Sequence, residues 1–387
     1  MDKRRIPRVL LVNHVGEISG AENSMLTLAR HLDRRRFEPL AAVPAGAVAA
    51  ELDDIEVPVS MLPQLRLSQP RNPLQMVAAW LRVKRWGAKI GLAAEEMGAD
   101  LIAANSLTAA LGCVAGGAAD LPVVWHARDL QASERAVRRV VPRVTRIAAI
   151  SGCVADGVAA QHPRAGDITT LVYNGVDSEH FWAERPRTEV RRELDLPDDA
   201  LVIGAVGQLV PWKRHDLFIE AAAHVLVHLP KARFLIVGAD LFGEHPDYVH
   251  SLRSLRESLG LRDHVTFTGY REDIASVMGA MDLLVHPAEK EPLGRVLIEA
   301  MSLGIPCVAV DECGPAEIIE DGHCGVLVTV GDPQTISARV VEMAGRQGAL
   351  ERMGEKARAR VRDLFTAERM ARLTEDLYEE ALLEAGR

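Results

Sequence analysis

The chain alternates short apolar runs with stretches of helical periodicity. Residues 9–12, Val-Leu-Leu-Val, have the length and composition of a buried parallel strand. After a loop, the positions at i, i+3, i+4 and i+7 of one helix face are all apolar: Met25, Leu28, Ala29 and Leu32. Strands that alternate with helices in this way predict an α/β protein whose parallel sheets are covered on both faces.

The same alternation recurs in both halves of the chain. Further strands are predicted at 101–103, 123–125, 147–150, 169–172, 201–206, 234–238, 265–268, 283–286 and 307–310. A chain of 387 residues is too long for one ordinary core and long enough for two. Residues 181–197 are rich in charge and proline and have little apolar periodicity. We therefore expect an N-terminal domain of residues 1–186 and a C-terminal domain of residues 187–367.

Charge and apolar content exclude several classes of protein. The net charge of −9 argues against nucleic acid as the main partner. No apolar run approaches the roughly 18 residues of a membrane span, and the N-terminus lacks the pattern of a signal peptide, so we expect a cytoplasmic protein. Two basic stretches, 66–89 and 135–146, fit either solvated helix faces or a peripheral contact with the inner face of an anionic membrane.

The motif at residues 291–300, Glu-Pro-Leu-Gly-Arg-Val-Leu-Ile-Glu-Ala, follows a predicted strand and opens a helix. Ligands of parallel sheets bind beyond the carboxyl ends of strands, which is where Glu291 lies. The backbone amides of Leu293, Gly294 and Arg295 would be the unpaired donors of the new helix. Eight residues of helix rise about 12 Å, so Glu299 can reach a group at the other end of an extended ligand.

A second motif, Gly-Gln-Leu-Val-Pro-Trp-Lys at residues 207–213, follows the first strand of the C-terminal domain. A lysine at this point, Lys213, can neutralise a diphosphate leaving group. Taken alone, a lysine after a strand is more often a solvated charge. The motif gains weight from its order relative to the residues at 291–300.

Taken together, the ordered motifs resemble those of the GT-B glycosyltransferases, in particular the large retaining family 4. The resemblance covers nearly the whole chain. It includes the motifs at 19–22, 126–129, 150–151, 174–177, 207–213, 291–306 and 317–322. It implies two Rossmann-like parallel-sheet domains facing across a cleft, with a C-terminal helix, about 368–387, packing back on the N-terminal domain.

The resemblance also implies a role for particular residues of the C-terminal domain. Glu291 would bind hydroxyls of the donor sugar, and Glu299 the ribose hydroxyls. Lys213 would lie on the donor diphosphate, with the amides of residues 293–295 facing the sugar or the phosphates. Tyr270 belongs to the turn where the family commonly holds the base, often through backbone atoms.

The resemblance implies two further roles in the N-terminal domain, and the departure from the family pattern that changes the charge lies in the C-terminal domain. Gly16 would let the backbone approach the diphosphate, and His126 would lie near the reacting carbon with a positioning and electrostatic role. Gln208 stands where the family usually has arginine in the phosphate motif. This replacement removes a fixed positive charge from the donor-binding set, so Lys213 and nearby Arg214 would carry more of that function.

The implied reaction is transfer of a sugar from a nucleoside diphosphate sugar to an acceptor hydroxyl of a glycan, lipid or small molecule, with retention of anomeric configuration. No Asp-x-Asp motif stands at a strand end, and the cysteines include no Cys-x-x-Cys pair. We therefore expect no metal and no cofactor beyond the donor. Two alternatives stay open: a GT-B epimerase or phosphorylase, and a catalytically inactive nucleotide-sugar-binding protein.

Overall fold

The structure, a computed structural model, describes residues 5–67, 72–116, 120–130, 132–329 and 332–386. The chain divides into two compact units. The first unit comprises Met1–Gly175 together with Ala367–Arg387, and the second comprises Val176–Thr366. The division therefore falls between residues 175 and 176, ahead of the predicted position near 186. Residues 68–71 of the first basic stretch and residue 387 of the predicted terminal helix lie outside the described residues.

The first unit is built around a parallel sheet. Its strands are β1 (Arg8–Val12), β2 (Glu38–Pro44), β3 (Val59–Leu62), β4 (Leu101–Ala104), β5 (Val123–Ala127), β6 (Arg146–Ala149) and β7 (Thr169–Leu171). They lie in the order β3-β2-β1-β4-β5-β6-β7, all paired in parallel. Strands β2 and β3 are additions to the predicted set.

Helices cover both faces of this sheet, as right-handed crossovers between parallel strands require. They are α1 (Gly20–His31), α2 (Ala47–Asp54), α3 (Pro73–Met97), α4 (Leu107–Gly116), α5 (Glu134–Val140), α6 (Gly152–Ala159), α7 (Arg164–Ile168) and, from the end of the chain, α16 (Ala367–Glu384). The predicted apolar face of α1 is buried. Its first turn is fixed by Glu22, which accepts a hydrogen bond from the Ser19 amide at 3.1 Å.

The second unit repeats the design. Its strands are β8 (Val202–Val206), β9 (Arg233–Val237), β10 (Val265–Gly269), β11 (Leu283–His286), β12 (Cys307–Val310) and β13 (Gly325–Val328), in the parallel order β10-β9-β8-β11-β12-β13. Its helices are α8 (Arg187–Glu193), α9 (His215–His228), α10 (Pro246–Ser258), α11 (Ile274–Gly279), α12 (Arg295–Ser302), α13 (Cys313–Ile318), α14 (Pro333–Ala344) and α15 (Ala349–Leu364). The predicted α/β architecture of two Rossmann-like parallel-sheet domains is confirmed.

Helix α16 completes the core of the first unit. Its apolar side chains Met370, Leu377 and Tyr378 are buried in the same cluster as residues of β1, α1 and β2. An ion pair adds to this contact, because Arg36 bonds the buried Glu375 carboxylate at 2.8 Å. The last helix of the chain is therefore a structural part of the unit that the first residues build.

Helix α3 spans 25 residues and carries basic side chains along its exposed side. Its buried side packs into the first unit. Among the described residues, no helix combines the length and the apolar character needed to cross a bilayer.

Candidate functional site

Each sheet contains one point where the order of its strands reverses. In the first unit the reversal lies between β1 and β4, and in the second between β8 and β11. Loops leave neighbouring strands in opposite directions at such a point, which opens a crevice beyond their carboxyl ends where ligands of α/β proteins bind.

At the reversal in the second unit, Lys213 and Glu291 form a direct ion pair through Nζ and Oε2. Lys213 ends a short 3-10 turn, Pro211–Lys213, that follows β8, and Glu291 lies in the loop that follows β11. The ammonium also lies 4.2 Å from the ring centroid of Trp212. The fold thus brings together the two residues for which the sequence predicted phosphate and sugar binding.

The Glu291 carboxylate is buried, with the residue 7 % exposed. Burial by itself raises the pKa of a carboxyl group, but the charge of Lys213 and a hydrogen bond from His286 outweigh it and lower the pKa of Glu291 to about 2. The group is therefore a carboxylate at neutral pH. A buried carboxylate that is held ionised is suited to accept hydrogen bonds from hydroxyl groups.

His286 is a member of this cluster that sequence reasoning missed. It is the last residue of β11 and is buried, and its Nε2 lies 3.1 Å from Glu291 Oε2. Burial lowers the pKa of His286, so the neutral ring donates its Nε2–H to the carboxylate. The sequence feature that could have identified His286 is its position at the end of a predicted strand, five residues before Glu291.

The loop after β8 contains a second set of charges next to Lys213. Arg214 bonds the carboxylates of Glu289 and Asp216, the latter at 3.1 Å. The neighbouring Gln208, at the position where arginine was expected, is half-buried, and its backbone carbonyl lies 3.1 Å from Nε2 of His215. Arg214 therefore supplies a second cation beside Lys213, already balanced by two acids.

The predicted start of α12 is where the helix begins. Gly294 precedes it with φ of +96°, a left-handed conformation that favours glycine. Leu293 is buried, and Arg295 bonds Glu299 within the first turns, with Nη2 2.7 Å from Oε1. Glu299 is thus neutralised by a neighbour on its own helix.

Tyr270 is separated from these groups within the same sheet. It follows β10, the outer strand, and β9 lies between β10 and β8. Its side chain is exposed. The second unit therefore assembles Lys213, Glu291 and His286 into one cluster and leaves Tyr270 apart from it.

In the first unit, His126 lies within β5 and is buried. Its Nε2 is 3.0 Å from the hydroxyl of Tyr378 on α16, and burial lowers its pKa to about 3. The imidazole is therefore neutral at physiological pH. It can position a neighbour or share a hydrogen bond, but it has no net charge to place against a leaving group.

Gly16 has a packing reason to be glycine. A Cβ at this position would lie 2.3 Å from the backbone oxygen of Ala45. The loop after β1 therefore runs against the loop after β2 too closely for any side chain. Packing alone therefore explains why residue 16 is glycine. The role at the diphosphate that the resemblance implies stays a prediction.

A buried polar network lies at the reversal point of the first unit, and sequence reasoning did not identify it. Arg128 donates to the side-chain oxygens of Asn105 at 3.0 Å and Asn174 at 2.9 Å. Asn105 in turn donates to Asn13 at 3.2 Å, and Asn13 to Glu22 at 3.2 Å. Asn13 and Asn105 directly follow β1 and β4, which is the signal that could have found them.

Two family models match the chain, one for each half. The model described as glycosyl transferases group 1 matches residues 186–360, and the model described as Glycosyltransferase Family 4 matches residues 18–180. Among solved structures, Anabaena Alr3699/HepE in complex with UDP and glucose is similar, with a TM-score of 0.83 and 28% sequence identity. That match covers 96% of this chain and 99% of HepE, which was also solved with UDP-glucose.

Curated relatives give a consistent result. N-acetyl-alpha-D-glucosaminyl L-malate synthase of Bacillus anthracis is 29% identical over 216 residues, 56% of this chain and 54% of the relative. D-inositol 3-phosphate glycosyltransferase of Streptomyces bingchenggensis is 29% identical over 252 residues, 63% and 54% respectively. The chain spans about half the length of these two relatives. From the models that match both halves, and from the fold shared with HepE, the chain belongs to the group 1 glycosyltransferases with the GT-B fold.

Proposed function

We propose that this protein transfers a sugar from a uridine diphosphate sugar to an acceptor hydroxyl, with retention of anomeric configuration and without a metal ion. The observation that carries the proposal is the cluster of Lys213, Glu291 and His286 at the reversal point of the second sheet. The uridine donor is supported by HepE, which was solved with UDP and glucose and with UDP-glucose at 28% identity to this chain.

The cluster holds a cation and an anion side by side, and a nucleotide sugar carries a partner for each. Its diphosphate is an anion that suits Lys213, and its sugar hydroxyls are donors that suit the Glu291 carboxylate. Both new contacts are charge-assisted, so they compensate for the loss of the ion pair. The donor would then lie with its glycosidic bond between the two side chains.

In the proposed reaction the bond from the anomeric carbon to the diphosphate breaks, negative charge leaves with the diphosphate, and the sugar acquires oxocarbenium character. The acceptor oxygen then bonds the anomeric carbon, and an oxygen of the leaving diphosphate takes the acceptor's proton. A fixed ammonium at the leaving group stabilises that charge most in the transition state, when it is fully developed. Lys213 supplies this ammonium, and Arg214 lies next in the chain. With Lys213 and the amides at the start of α12 facing the leaving group, a divalent ion is not needed for that role.

The other predicted roles are part of the same proposal. Glu299 would exchange its bond with Arg295 for the ribose hydroxyls, and the amides of residues 293–295 would face the diphosphate or the sugar. Gly16 would approach the diphosphate and His126 would position the reacting groups as a neutral ring. Gln208 would offer an uncharged amide, and Tyr270 would contact the base.

We propose a cytoplasmic site of action, with a glycan, lipid or small-molecule acceptor and no nucleic-acid partner. The basic segments of the first unit would give a weak contact with the anionic inner face of a membrane. An acceptor carried by lipid would be presented at that surface.

The proposal is tested by product analysis with UDP-glucose as the first donor. We expect slow release of UDP and glucose without an acceptor, a glycoside of unchanged anomeric configuration with an acceptor pool, and full activity in EDTA. Glu291→Gln and Lys213→Met should lower turnover strongly, Lys213→Met by about 10²–10³-fold, whereas Lys231→Met, a change to an exposed lysine elsewhere in the second unit, should not. Conversion of UDP-glucose, without an acceptor, to a sugar of inverted configuration at one ring carbon would identify an epimerase, and donor binding without any turnover would identify an inactive binding protein.

A further inference from the structure

Helix α3 exposes a row of large apolar side chains to solvent. Leu74 is 83% exposed, Val77 59%, Leu81 46% and Leu92 58%. Their spacings of three, four and eleven residues place them on a single stripe of the helix, since eleven residues make three turns. The opposite face of α3 is buried in the first unit. The helix is thus apolar on two sides, and its own unit covers one of them.

Basic side chains border this stripe. Arg82 and Lys89 lie on one flank, Lys84 on the other, and Arg85 within it, as about 100° of rotation per residue requires. All four are exposed. No aspartate or glutamate occurs in α3 before Glu95, although the whole chain has a net charge of −9. The positive charge is therefore concentrated locally and does not follow from the composition.

Helix α5 lies beside the first half of α3, on the flank of the stripe that carries Lys84. The guanidinium of Arg139 lies 5.1 Å from the ring centroid of Trp80, and Nη1 of Arg135 lies 3.6 Å from Sδ of Met76. The two basic stretches of the sequence thus meet at the first half of α3. We call the exposed side chains of residues 74–92 and 135–139 the α3–α5 face.

Two kinds of partner are compatible with exposed apolar side chains, and the charges favour one of them. A second copy meeting the same face by two-fold symmetry would bring basic residues against basic residues, which is unfavourable. An anionic bilayer offers acyl chains for the stripe and phosphates for its borders, because lysine and arginine can extend their charged ends to the headgroup level. Of these two partners, only the anionic bilayer matches both the apolar centre of the face and its basic margin.

We propose that the α3–α5 face docks the protein on an anionic lipid bilayer, with Leu74, Val77 and Leu81 at the headgroup–acyl boundary. The inference gives a defined surface to the membrane contact of the proposed function and rests on it. Each basic residue near such a surface contributes about fivefold to partitioning, and the contribution is screened by salt.

Sedimentation of the full chain with vesicles tests this. We use vesicles of phosphatidylcholine alone and of phosphatidylcholine with phosphatidylglycerol, each at low and at high salt. The chain should bind the anionic vesicles at low salt and lose most of that binding at high salt. Arg85→Gln should weaken binding about fivefold, and Gln at all four basic positions of α3 more than a hundredfold. The triple variant Leu74→Ser, Val77→Ser, Leu81→Ser should weaken it at least tenfold.

Matched controls lie in the second unit. Val227→Ser removes an apolar side chain that is 76% exposed, and Arg253→Gln removes an exposed charge. Neither should change vesicle binding. The proposal is overturned if the chain does not bind anionic vesicles, if it binds neutral vesicles equally well, or if the α3 variants bind like the wild type. A dimer in solution that the Leu74, Val77, Leu81 variant dissociates would assign the face to a second copy and also overturn it.

The rise in melting temperature with UDP is measured on the same samples. An intact rise without vesicle binding rejects the docking face and leaves the transferase proposal in place. Vesicle binding without any rise in melting temperature with UDP rejects the transferase proposal and leaves the docking face in place.

Discussion

The two sheets reverse their strand order in the same way, yet the polar groups at the two points differ in kind. In the second unit, Lys213 and Glu291 are opposite full charges held in direct contact. In the first unit, Arg128 is bonded to the neutral amides of Asn105 and Asn174, and the Glu22 carboxylate of the same network is reached only through Asn105 and Asn13. A ligand can separate a pair of opposite charges if it offers an anion to the lysine and hydrogen-bond donors to the carboxylate. A cation satisfied by fixed amides is part of a rigid scaffold.

The difference assigns separate physical tasks to the units. The cluster of the second unit is suited to exchange its internal bonds for those of a diphosphate sugar. The network of the first unit fixes the ends of β1, β4 and β5 and the loops that follow them. Substitutions in the second unit should therefore act on binding and turnover, and substitutions in the first unit on stability.

The largest effect is expected for Lys213→Met. Loss of the ammonium should lower kcat for donor hydrolysis by about 10²–10³-fold, the usual cost of one electrostatic contact to a leaving group. Steady-state kinetics with UDP-glucose measures this. Lys231→Met, which removes an exposed lysine of the same unit, should change kcat less than about twofold. Equal losses in both variants would remove the special role of the cluster.

A smaller effect, on stability, is expected for Arg128→Met. The change leaves the buried oxygens of Asn105 and Asn174 without their donor, at a cost of about 3 kcal/mol in the free energy of unfolding. Denaturant unfolding measures this, with the exposed Arg143→Met as control. The affinity for UDP should change little. A large loss of UDP affinity with unchanged stability would contradict the division of tasks.

The pH dependence of stability provides a third comparison. His126 has a folded pKa of about 3, below the ordinary imidazole pKa of 6.5, so the unfolded state takes up its proton first as the pH falls. Stability is therefore lost progressively below pH 6.5. Between pH 7 and about pH 5 the loss from this residue is about 2 kcal/mol. His126→Gln should lose correspondingly less than the wild type over that interval, as measured by urea unfolding at each pH.

The smallest effect is expected for Tyr378→Phe. The variant keeps the buried ring and removes only the hydroxyl that lies 3.0 Å from His126 Nε2. The free energy of unfolding should fall by about 1 kcal/mol, the usual net value of one hydrogen bond. A drop in kcat of more than about tenfold, in a variant that stays folded, would instead indicate that His126 takes part in the reaction through this contact.

Much of the fold was predictable, because most strands are continuous apolar runs. Strands β2 and β3 of the first unit and β13 of the second were not predicted. The β2 segment, Glu-Pro-Leu-Ala-Ala-Val-Pro, is rich in alanine and bounded by prolines, and β3 is four residues long. Neither carries a strong strand preference of its own, and parallel pairing with β1 supplies what the local sequence lacks.

The candidate site was predicted in part for a related reason. Lys213 and Glu291 were identified because each belongs to an ordered motif. His286 and the network of Arg128 depend on side chains that come together only through the strand order, which single motifs do not encode. His126 is buried against Tyr378, which lies 252 residues later in the chain, and burial is the main cause of its lowered pKa. Contacts at that separation in sequence are set by the fold and leave no local pattern.

The central claim is that Lys213 binds the diphosphate and Glu291 binds the sugar of one donor. Titration calorimetry with UDP and with UDP-glucose separates the two contacts. Lys213→Met should weaken binding of both ligands by at least tenfold. Glu291→Gln should weaken binding of UDP-glucose and leave that of UDP within about twofold of the wild type. If both variants bind both ligands as tightly as the wild type, the account is wrong.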